Sequence, residues 1–408
     1  MLVNARPLED TDSDDYPVPF CRTEITDEAQ LAALRVLKSG WVTTGPETLV
    51  FEKEFAAWVG APEAIAVSSC TAAIQLALMA LELPPGAAVL TPTLTFCSAV
   101  HAIVHAGLRP VLVDVDEATL TVSAEGVATA ARAGAAAMVV QHMAGYPVDP
   151  GPLAEAAGLT PNLVIEDAAH GLGAAVGARP VGCLARAACF SFYATKNLPI
   201  GEGGAITTAD PELAARVARM RLHGMNRDAW RRYGPGGSWR YSVEDSGFKA
   251  NFTDVQAAIG SAQLSSLDGW QRRRQVIASQ YDALLAGVPG VTLPPRPATD
   301  RHGWHLYIVR IGPEFAISRD EAVEALAERG IGTSVHFIPV HHQPYFRRLL
   351  GREVCDGLPV ADRVFPELLS LPFHPGLQDQ QIERVGTALA DIGSSRPRLR
   401  LAAGTANR

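Results

Sequence analysis

Short apolar runs alternate with helical patterns along most of this 408-residue chain. The runs have the length and residue types of buried β-strands, and six are predicted at residues 64–69, 88–91, 109–116, 137–142, 162–167 and 188–193. Strands that are apolar throughout need cover on both faces, which helices between them supply. The pattern predicts an α/β domain with a mostly parallel sheet and an active site beyond the carboxyl ends of its strands.

A second group of elements follows a long helix that is predicted to begin at Asp254. These elements are strands at 304–311 and 333–337, a helix capped by Ser318, and a closing helix at 379–392. The chain is long enough for one large domain and one smaller domain. The pattern therefore predicts a small C-terminal domain that the long helix links to the first.

We place the domain boundaries by these patterns and by composition. The large domain is predicted over residues 16–260, including an N-terminal helical segment, and the small domain with the linking helix over 261–393. Residues 1–15 and 394–408 have low apolar content, and chain ends fray easily. Both ends are therefore predicted to be disordered.

The composition excludes several classes of function. The chain is 48% hydrophobic and 19% charged, as is usual for globular proteins, and its net charge of −8 disfavours nucleic acid or an anionic membrane as partner. No apolar stretch is long enough to span a bilayer, and the acidic start LEDTDSDDY is unlike a signal peptide. None of the six cysteines forms a C-x-x-C pair. These features predict a cytoplasmic protein.

The stretch FSFYATKNLPIGEGGAITT, at residues 190–208, contains the first candidate for chemistry. An aromatic-rich strand ends there in Lys196, and the whole chain has only four lysines. A lysine that is held rigidly with a lowered pKa can form a Schiff base with pyridoxal phosphate (PLP). Lys196 is therefore predicted to bind PLP; the alternative is a surface lysine whose stem packs on apolar neighbours.

An acid that pairs with the pyridine nitrogen of PLP is the second requirement, because a protonated ring accepts electrons more readily. VIEDAAH supplies Glu166 and Asp167 at the end of a predicted strand. Asp167 is our choice, since successive side chains of a strand point to opposite faces. The alternative for Asp167 is a helix N-cap.

A phosphate site and a ring-stacking residue are the remaining requirements. Residues 68–72, SSCTA, lie between a strand and a helix, where free N–H groups and hydroxyls can meet an anion, and Ser191 could add a hydroxyl. Phe96 is placed to stack on the cofactor ring. Ordinary capping and core packing are the alternatives for these residues.

Two other patterns are set aside. The glycines of 171–173 follow a strand, but Gly177 comes one position too late for a dinucleotide fingerprint. His336, His341 and His342 lack the accompanying ligand spacing of a metal site. We predict no metal, and we interpret this histidine group as a substrate contact.

The order of motifs along the chain resembles one known family. The matching pieces extend from about residue 42 to 377 and include SSCTAAIQLAL, TPTLTFCSAV, QHMAGYPVD, IEDAAHGLGA, FSFYATKN, NFTDVQAAI and LSLPFHP. They resemble the DegT/DnrJ/StrS sugar aminotransferases, which are PLP enzymes of fold type I. The resemblance implies a large domain with a mostly parallel seven-stranded sheet between helices, and a smaller C-terminal α/β domain.

The resemblance also implies roles for individual residues. Lys196 would be the PLP-bound lysine and the proton shuttle, and Asp167 would pair with the pyridine nitrogen. The implied cofactor contacts are Cys70, Thr71, Phe96, Asp167, His170, Ser191 and Asn251. Asn251 would reach the phosphate of the neighbouring subunit, which implies a homodimer with shared active sites.

The resemblance suggests a substrate class as well. The stretch from His223 to Asp254 is similar to members that aminate C-4 of nucleotide-linked 4-keto sugars. The implied reaction converts a dTDP- or UDP-linked 4-keto-6-deoxyhexose to the 4-amino sugar with glutamate as donor, for antibiotic or cell-surface glycan biosynthesis. The candidate substrate contacts are Trp41, Thr43, His336 and Tyr345, with the tryptophans and arginines of that stretch. The alternatives are amination at C-3 and a PLP-binding regulator without turnover.

Overall fold

The computed structural model describes residues 17–132, 134–226, 240–355 and 357–394. The predicted disordered start at 1–15 and nearly all of the predicted tail at 394–408 lie outside these ranges. So do residues 227–239, which contain five of the six tryptophans and arginines of the stretch from His223 to Asp254. No helix in the described ranges has both the length and the apolar content to cross a membrane.

The described ranges contain strands and helices in alternation. The strands are β1 (Glu63–Val67), β2 (Ala88–Pro92), β3 (Arg109–Val113), β4 (Ala137–Gln141), β5 (Val164–Asp167), β6 (Ala175–Val176), β7 (Arg179–Pro180), β8 (Ala187–Ser191), β9 (Gly204–Thr208), β10 (Val291–Thr292), β11 (Tyr307–Ile311) and β12 (Leu368–Leu371). The helices are α1 (Asp27–Ser39), α2 (Pro46–Val59), α3 (Cys70–Ala80), α4 (Cys97–His105), α5 (Ala124–Ala131), α6 (Pro150–Ala156), α7 (Pro211–Met220), α8 (Asp254–Leu285), α9 (Arg319–Glu328), α10 (Pro344–Leu350), α11 (Arg352–Cys355), α12 (Pro359–Val364) and α13 (Asp379–Ser394).

Seven strands form the main sheet, in the order β1-β9-β8-β5-β4-β2-β3. β9 runs antiparallel to β1 and β8, whereas the other neighbouring pairs are parallel. The predicted α/β class and the mostly parallel seven-stranded sheet are confirmed. All six strands predicted for this sheet are present, with ends that differ by a few residues.

Helices cover both faces of the main sheet. On one face, α3, α4 and α7 bury Ile74, Ile103 and Val217 against the strands. On the other face, α2 buries Phe51 and Phe55, and the ring of Phe55 meets that of Phe190 edge-on at 5.2 Å between centroids. This double cover explains why the strand sequences are apolar at nearly every position.

A second, antiparallel sheet has the order β10-β11-β12. Here the predicted strand at 333–337 is wrong, because β11 pairs with β12 instead. Residues 333–337 make a single bridge, from Ser334 to Ser370, and then turn so that His336 Nδ1 lies 2.8 Å from Ser370 Oγ. The turn brings His336 and Phe337 to a cavity that Asp167 and Lys196 also line.

The long helix α8 contacts the cores of both sheets. Its first half buries Ala257 and Leu264 with the phenylalanines of α2, and its second half buries Ile277 and Tyr281 with β11. The predicted boundary between residues 260 and 261 therefore falls inside a continuous helix, and the division into two domains stays a prediction.

The start of α8 also fixes the start of α2. Thr253 forms a capping box with Gln256 at the first turn of α8. Asp254, in the same turn, accepts hydrogen bonds from the N–H and hydroxyl of Thr48 at 3.0 and 2.7 Å. One carboxylate thus satisfies N–H groups at the N-terminus of a second helix and holds the two helices together.

Candidate active site

A cavity of about 510 Å³ lies at the carboxyl ends of the central parallel strands. Gln141, Asp167 and Ser191, the last residues of β4, β5 and β8, line its floor together with the N-terminus of α3. The predicted cofactor residues that line the cavity are Cys70, Thr71, Phe96, Asp167, His170, Ser191 and Lys196. These residues are far apart in the sequence, and the parallel sheet brings them together at one edge, as expected of this fold class.

Lys196 is held in the turn between β8 and β9. Its N–H donates to Tyr193 O at 2.8 Å, and its neighbour Asn197 donates to Leu172 O and Gly303 O. The side chain is half-buried and lines the cavity. Burial lowers the pKa of the amine to about 8, although the carboxylate of Asp167 acts in the opposite direction. A larger share of the amine is therefore neutral near pH 7 than in a free lysine.

The two carboxylates at the end of β5 face different environments. Asp167 faces the cavity, and its Oδ1 accepts the Ala169 N–H at 3.1 Å. Burial raises its pKa, while that hydrogen bond and the amine of Lys196 lower it. Glu166 is on the other side of the strand, fully buried and away from the cavity. Its partners are the N–H groups of Gly182, Leu184 and Ala185 and the ring of His142.

The N-terminus of α3 supplies N–H groups to the cavity. Ser69 is the N-cap, and its hydroxyl accepts the Ala72 N–H at 3.1 Å. The preceding N–H groups, of Cys70 and Thr71, belong to a helical turn that has no intrahelical partners for them, so they can bind an anion. Gly204 of β9 lets the backbones approach closely, since a Cβ there would stand 2.7 Å from Cys70 N.

The rings of Phe96 and His170 also line the cavity, and both contact Phe337. Phe96 is 56% exposed, and its centroid lies 5.8 Å from that of Phe337. His170 stacks on Phe337 at 5.8 Å and accepts the Ala144 N–H with Nδ1 at 3.3 Å. Burial holds the pKa of His170 well below its usual range, so the ring is neutral and its proton is on Nε2.

Other predicted residues lie outside this cavity. Asn251 is paired with Val67 at the end of β1, and its amide donates to Thr44 Oγ1 at 2.7 Å. Trp41 donates to Thr44 O, and Tyr345, 44% exposed, packs on a neighbouring helix. Thr43 accepts the Asp254 N–H with its carbonyl oxygen. Their predicted roles remain predictions, as does that of His336, which does line the cavity.

Sequence reasoning missed His305, which lines the cavity from the C-terminal half of the chain. Its Nε2 lies 3.5 Å from Lys196 Nζ, and its ring centroid lies 4.4 Å from that of His170. It precedes the strand β11 in the apolar run WHLYIVRI. A lone histidine in such a run is usual in a protein core, so the sequence held no signal for it.

The histidine group named in the sequence is divided in the structure. His341 and His342 lie apart from the cavity lining, where both Nε2 atoms approach Asp362 Oδ1, at 2.9 and 2.5 Å. These three side chains are close enough to hold a metal ion. The shared carboxylate oxygen also accounts for their arrangement by hydrogen bonding alone, and the absence of a metal stays a prediction.

Comparison with known proteins identifies the family. The sequence profile of the DegT/DnrJ/EryC1/StrS aminotransferase family matches residues 23–390. The chain belongs to this family. It is 42% identical over 377 residues to the spore coat polysaccharide biosynthesis protein SpsC of Bacillus subtilis, with 92% of this chain and 97% of that protein covered.

Solved structures agree with this membership of the DegT/DnrJ/EryC1/StrS family. S. venezuelae DesV, solved with a ketimine intermediate, superposes with a TM-score of 0.84 at 34% identity over 93% of this chain and 99% of that one. The putative sugar aminotransferase Spr1654 of Streptococcus pneumoniae, in its PMP form, gives 0.85 at 27% identity, with coverages of 92% and 99%. The predictions of a fold-type I, PLP-dependent sugar aminotransferase are confirmed.

The residues around the cavity fit PLP. A half-buried amine, a buried carboxylate and the free N–H groups of a helix N-terminus surround one cavity, and these match the aldehyde, the ring nitrogen and the phosphate of that cofactor. Cys70 and Asp167 are separated by 3.9 Å between Sγ and Oδ1, so the helix terminus and the acid lie side by side.

Proposed function

We propose that this family member transfers the amino group of glutamate to C-4 of a dTDP- or UDP-linked 4-keto-6-deoxyhexose. The observation that carries the proposal is the half-buried amine of Lys196 at a cavity that also contains Asp167 and the start of α3. The similarity to SpsC, named for spore coat polysaccharide biosynthesis, favours a role in making a cell-surface glycan.

Several residues of the cavity would hold the cofactor. Cys70, Thr71 and Ser191 would bind its phosphate, Asp167 would pair with its ring nitrogen, and Phe96 would cover its ring. PLP supplies an electron sink that stabilises negative charge next to the transferred nitrogen. Among these residues, Asp167 suits its role because its carboxylate is buried, whereas Glu202, the other acid of the described cavity lining, is exposed.

Lys196 would anchor the cofactor and move the proton between carbon atoms. A base must be neutral before it can accept a proton, and it works best when its pKa is close to the working pH. Burial gives Lys196 a pKa of about 8, which meets both conditions in mildly alkaline solution. His170, with its proton on Nε2, would donate a hydrogen bond to the cofactor.

The overall exchange is balanced without a further reactant. Glutamate loses its amino group and becomes 2-oxoglutarate, and the keto sugar gains that amino group in place of its carbonyl oxygen. Both substrates would use the same cavity in turn. His336, which lines the cavity, would contact the sugar nucleotide, and Asn251 would contact the cofactor of the second subunit in a homodimer.

The test follows the two halves of the exchange separately. Glutamate alone is expected to remove the visible absorbance band of the holoenzyme, and a 4-keto sugar nucleotide is expected to restore it. The panel should include dTDP- and UDP-linked sugars with the ketone at C-4 and at C-3, and NMR should identify the carbon that bears nitrogen. Restoration by 3-keto sugars alone would replace C-4 by C-3 in the proposal.

The role of Lys196 has its own prediction. Lys196→Ala should lower kcat by at least about 10²-fold, the usual contribution of general acid–base catalysis. Borohydride should attach a pyridoxyl group to the wild-type tryptic peptide 187–216 and not to that of the variant, as read by mass spectrometry. Lys38→Ala, at an exposed lysine of α1, is the matched control and should behave as wild type. Full turnover by Lys196→Ala would contradict the mechanism.

A further inference from the structure

His305 is a buried histidine placed between Lys196 and Asn197, and none of the roles above uses it. It stands just before β11, and its backbone N–H donates to Ala144 O at 2.9 Å. Its Nδ1 lies 3.1 Å from Asn197 Oδ1, and its Nε2 lies 3.5 Å from Lys196 Nζ. The ring therefore connects the amide on one side with the amine on the other.

The orientation of the Asn197 amide is fixed by its surroundings. Its Nδ2 donates to two carbonyl oxygens, Leu172 O at 3.2 Å and Gly303 O at 2.8 Å. Turning the amide over would place its oxygen against both carbonyl oxygens, which is unfavourable because all three are acceptors. The oxygen of Asn197 must therefore face His305, and Nδ1 of His305 must carry a proton to donate to it.

The other nitrogen of His305 is consequently an acceptor. Burial, together with the positive charges of Lys196 and Arg274 and the ring of His170, holds the pKa of His305 well below its usual range. A neutral imidazole has one ring proton, and Asn197 places it on Nδ1. Nε2 then has a lone pair directed toward the amine.

We infer that His305 is a positioning residue for Lys196: its Nε2 accepts an N–H of the amine whenever that lysine is not attached to the cofactor. The inference rests on the proposed role of Lys196. No proton is transferred between His305 and Lys196. The hydrogen bond fixes the direction of one N–H of the amine, which leaves the lone pair of the amine free to face the substrate carbon. Orientation of this kind matters because a misplaced base transfers a proton slowly.

In the described part of the chain, the other titratable neighbours of Lys196 make no hydrogen bond to its amine. The titratable groups that face it from other elements are Asp167 of β5, Cys70 of α3, Cys21, His170 and His336. His170 uses Nδ1 to accept the Ala144 N–H, so its remaining nitrogen is a donor. Within the described part of the chain, His305 Nε2 is the hydrogen-bond partner of Nζ.

Two substitutions of His305 test the contacts of its two ring nitrogens separately. His305→Asn has a side-chain NH2 near the Nδ1 position, so it can keep the contact with Asn197 but has no acceptor that reaches Lys196. His305→Gln has an amide oxygen near the Nε2 position and can accept from the amine. His305→Met, of similar length and without a strong acceptor, replaces His305→Asn if that protein does not fold.

The first readout is the pH at which Lys196 becomes neutral in the full-length apoprotein. It is measured by competitive acetylation with isotopically labelled anhydrides, followed by mass spectrometry of the Lys196 peptide. A neutral acceptor stabilises the ammonium more than the amine, so its loss should move the midpoint down by about one pH unit. We expect this shift in His305→Asn and a midpoint close to wild type in His305→Gln.

The second readout is steady-state kinetics of the holoenzymes. His305→Asn should lower kcat about tenfold or more with little change in the KM for glutamate, because the base is misplaced while the binding site is intact. His305→Gln should recover most of that loss. An unchanged midpoint in His305→Asn, or equal shifts in both variants, would overturn the inference, since a merely structural role predicts no difference between them.

Failure of the inference can be told from failure of the proposed function. Borohydride trapping of the cofactor on wild-type Lys196 tests whether that lysine binds PLP and does not depend on His305. If trapping occurs at Lys196 and the midpoint does not respond to His305→Asn, only the positioning role is wrong. If trapping occurs at another lysine, the proposed role of Lys196 fails as well.

Discussion

Glu166 and Asp167 are adjacent acids whose carboxylates face opposite sides of β5. Glu166 accepts three backbone N–H groups from the segment that precedes β8, whereas Asp167 faces the cavity beside Lys196. Alternation of side chains along a strand is enough to separate a carboxylate that stabilises the fold from one that serves the site. The same alternation is the reason that Asp167 is preferred to Glu166 in the sequence.

This separation predicts opposite phenotypes for two conservative substitutions. Glu166→Gln replaces an acceptor oxygen by an NH2 group that faces N–H donors, so it should lower the free energy of unfolding by roughly 1–3 kcal/mol. Asp167→Asn removes the charge proposed to pair with the ring nitrogen of PLP. It should weaken PLP binding by at least about tenfold, since loss of one partner of a buried charge pair costs roughly 2–5 kcal/mol.

Urea unfolding of the apoproteins and PLP titration measure the two effects independently. Each variant is the control for the other, because both change one carboxylate to its amide in the same strand. Weaker PLP binding in Glu166→Gln alone would mean that the faces are assigned the wrong way round.

At the scale of elements, the contact between β9 and the N-terminus of α3 shapes the proposed phosphate site. A Cβ at Gly204 would lie 2.6 Å from Phe190 O and 2.7 Å from both Cys70 N and Ser69 C. All three are backbone atoms of neighbouring elements, so no flexible side chain can move aside. The helix N-terminus keeps its place only while residue 204 has no side chain.

We therefore expect Gly204→Ala to displace α3 from β9. Overpacking of this kind costs roughly 1–3 kcal/mol of stability, and the displaced N–H groups should bind PLP and inorganic phosphate more weakly. Gly269→Ala is the control, because that glycine lies within α8 and its Cβ would meet only Arg272 at 3.9 Å. Alanine there should stabilise the protein by about 0.5–1 kcal/mol. Unaltered PLP affinity in Gly204→Ala would show that this contact does not shape the site.

The sequence correctly predicts those elements whose own residue pattern shows that they are buried. Each parallel strand has helices on both faces, so its own residues are apolar throughout and reveal it. The small sheet differs, because β11 pairs with β12 across a long intervening segment, and residues 333–337 resemble a strand while making one bridge. Local pattern predicts a strand at 333–337 and does not reveal β12, because the pairing of β11 is decided by contacts distant in sequence.

The residues of the site fall into the same two groups: some follow a strand of the main sheet directly, and others come from distant parts of the chain. Lys196, Asp167 and the start of α3 follow strands of the main sheet directly, where the position of a residue in its motif indicates its chemistry. His305 and Phe337 enter the cavity from the C-terminal half, through contacts distant in sequence. The proposed catalytic residues could thus be predicted, whereas the residue that we infer to orient Lys196 could not.

At the scale of the whole molecule, the proposed homodimer concerns Asn251. This residue is bridged to Val67 at the end of β1, outside the lining of the cavity that contains Lys196, and its amide donates to Thr44. We propose that Asn251 contacts the cofactor of a second subunit, so that each active site would need residues from two chains.

Mixed dimers test this arrangement. Lys196→Ala and Asn251→Ala should each be poorly active alone, because every site lacks one of its residues. After the two are unfolded and refolded together, each heterodimer should contain one site with both substitutions and one with neither. Random pairing makes half of the dimers mixed, so activity should recover to about a quarter of that of wild type. Sites built within single chains would gain nothing from mixing, and size-exclusion chromatography of each variant controls for loss of assembly.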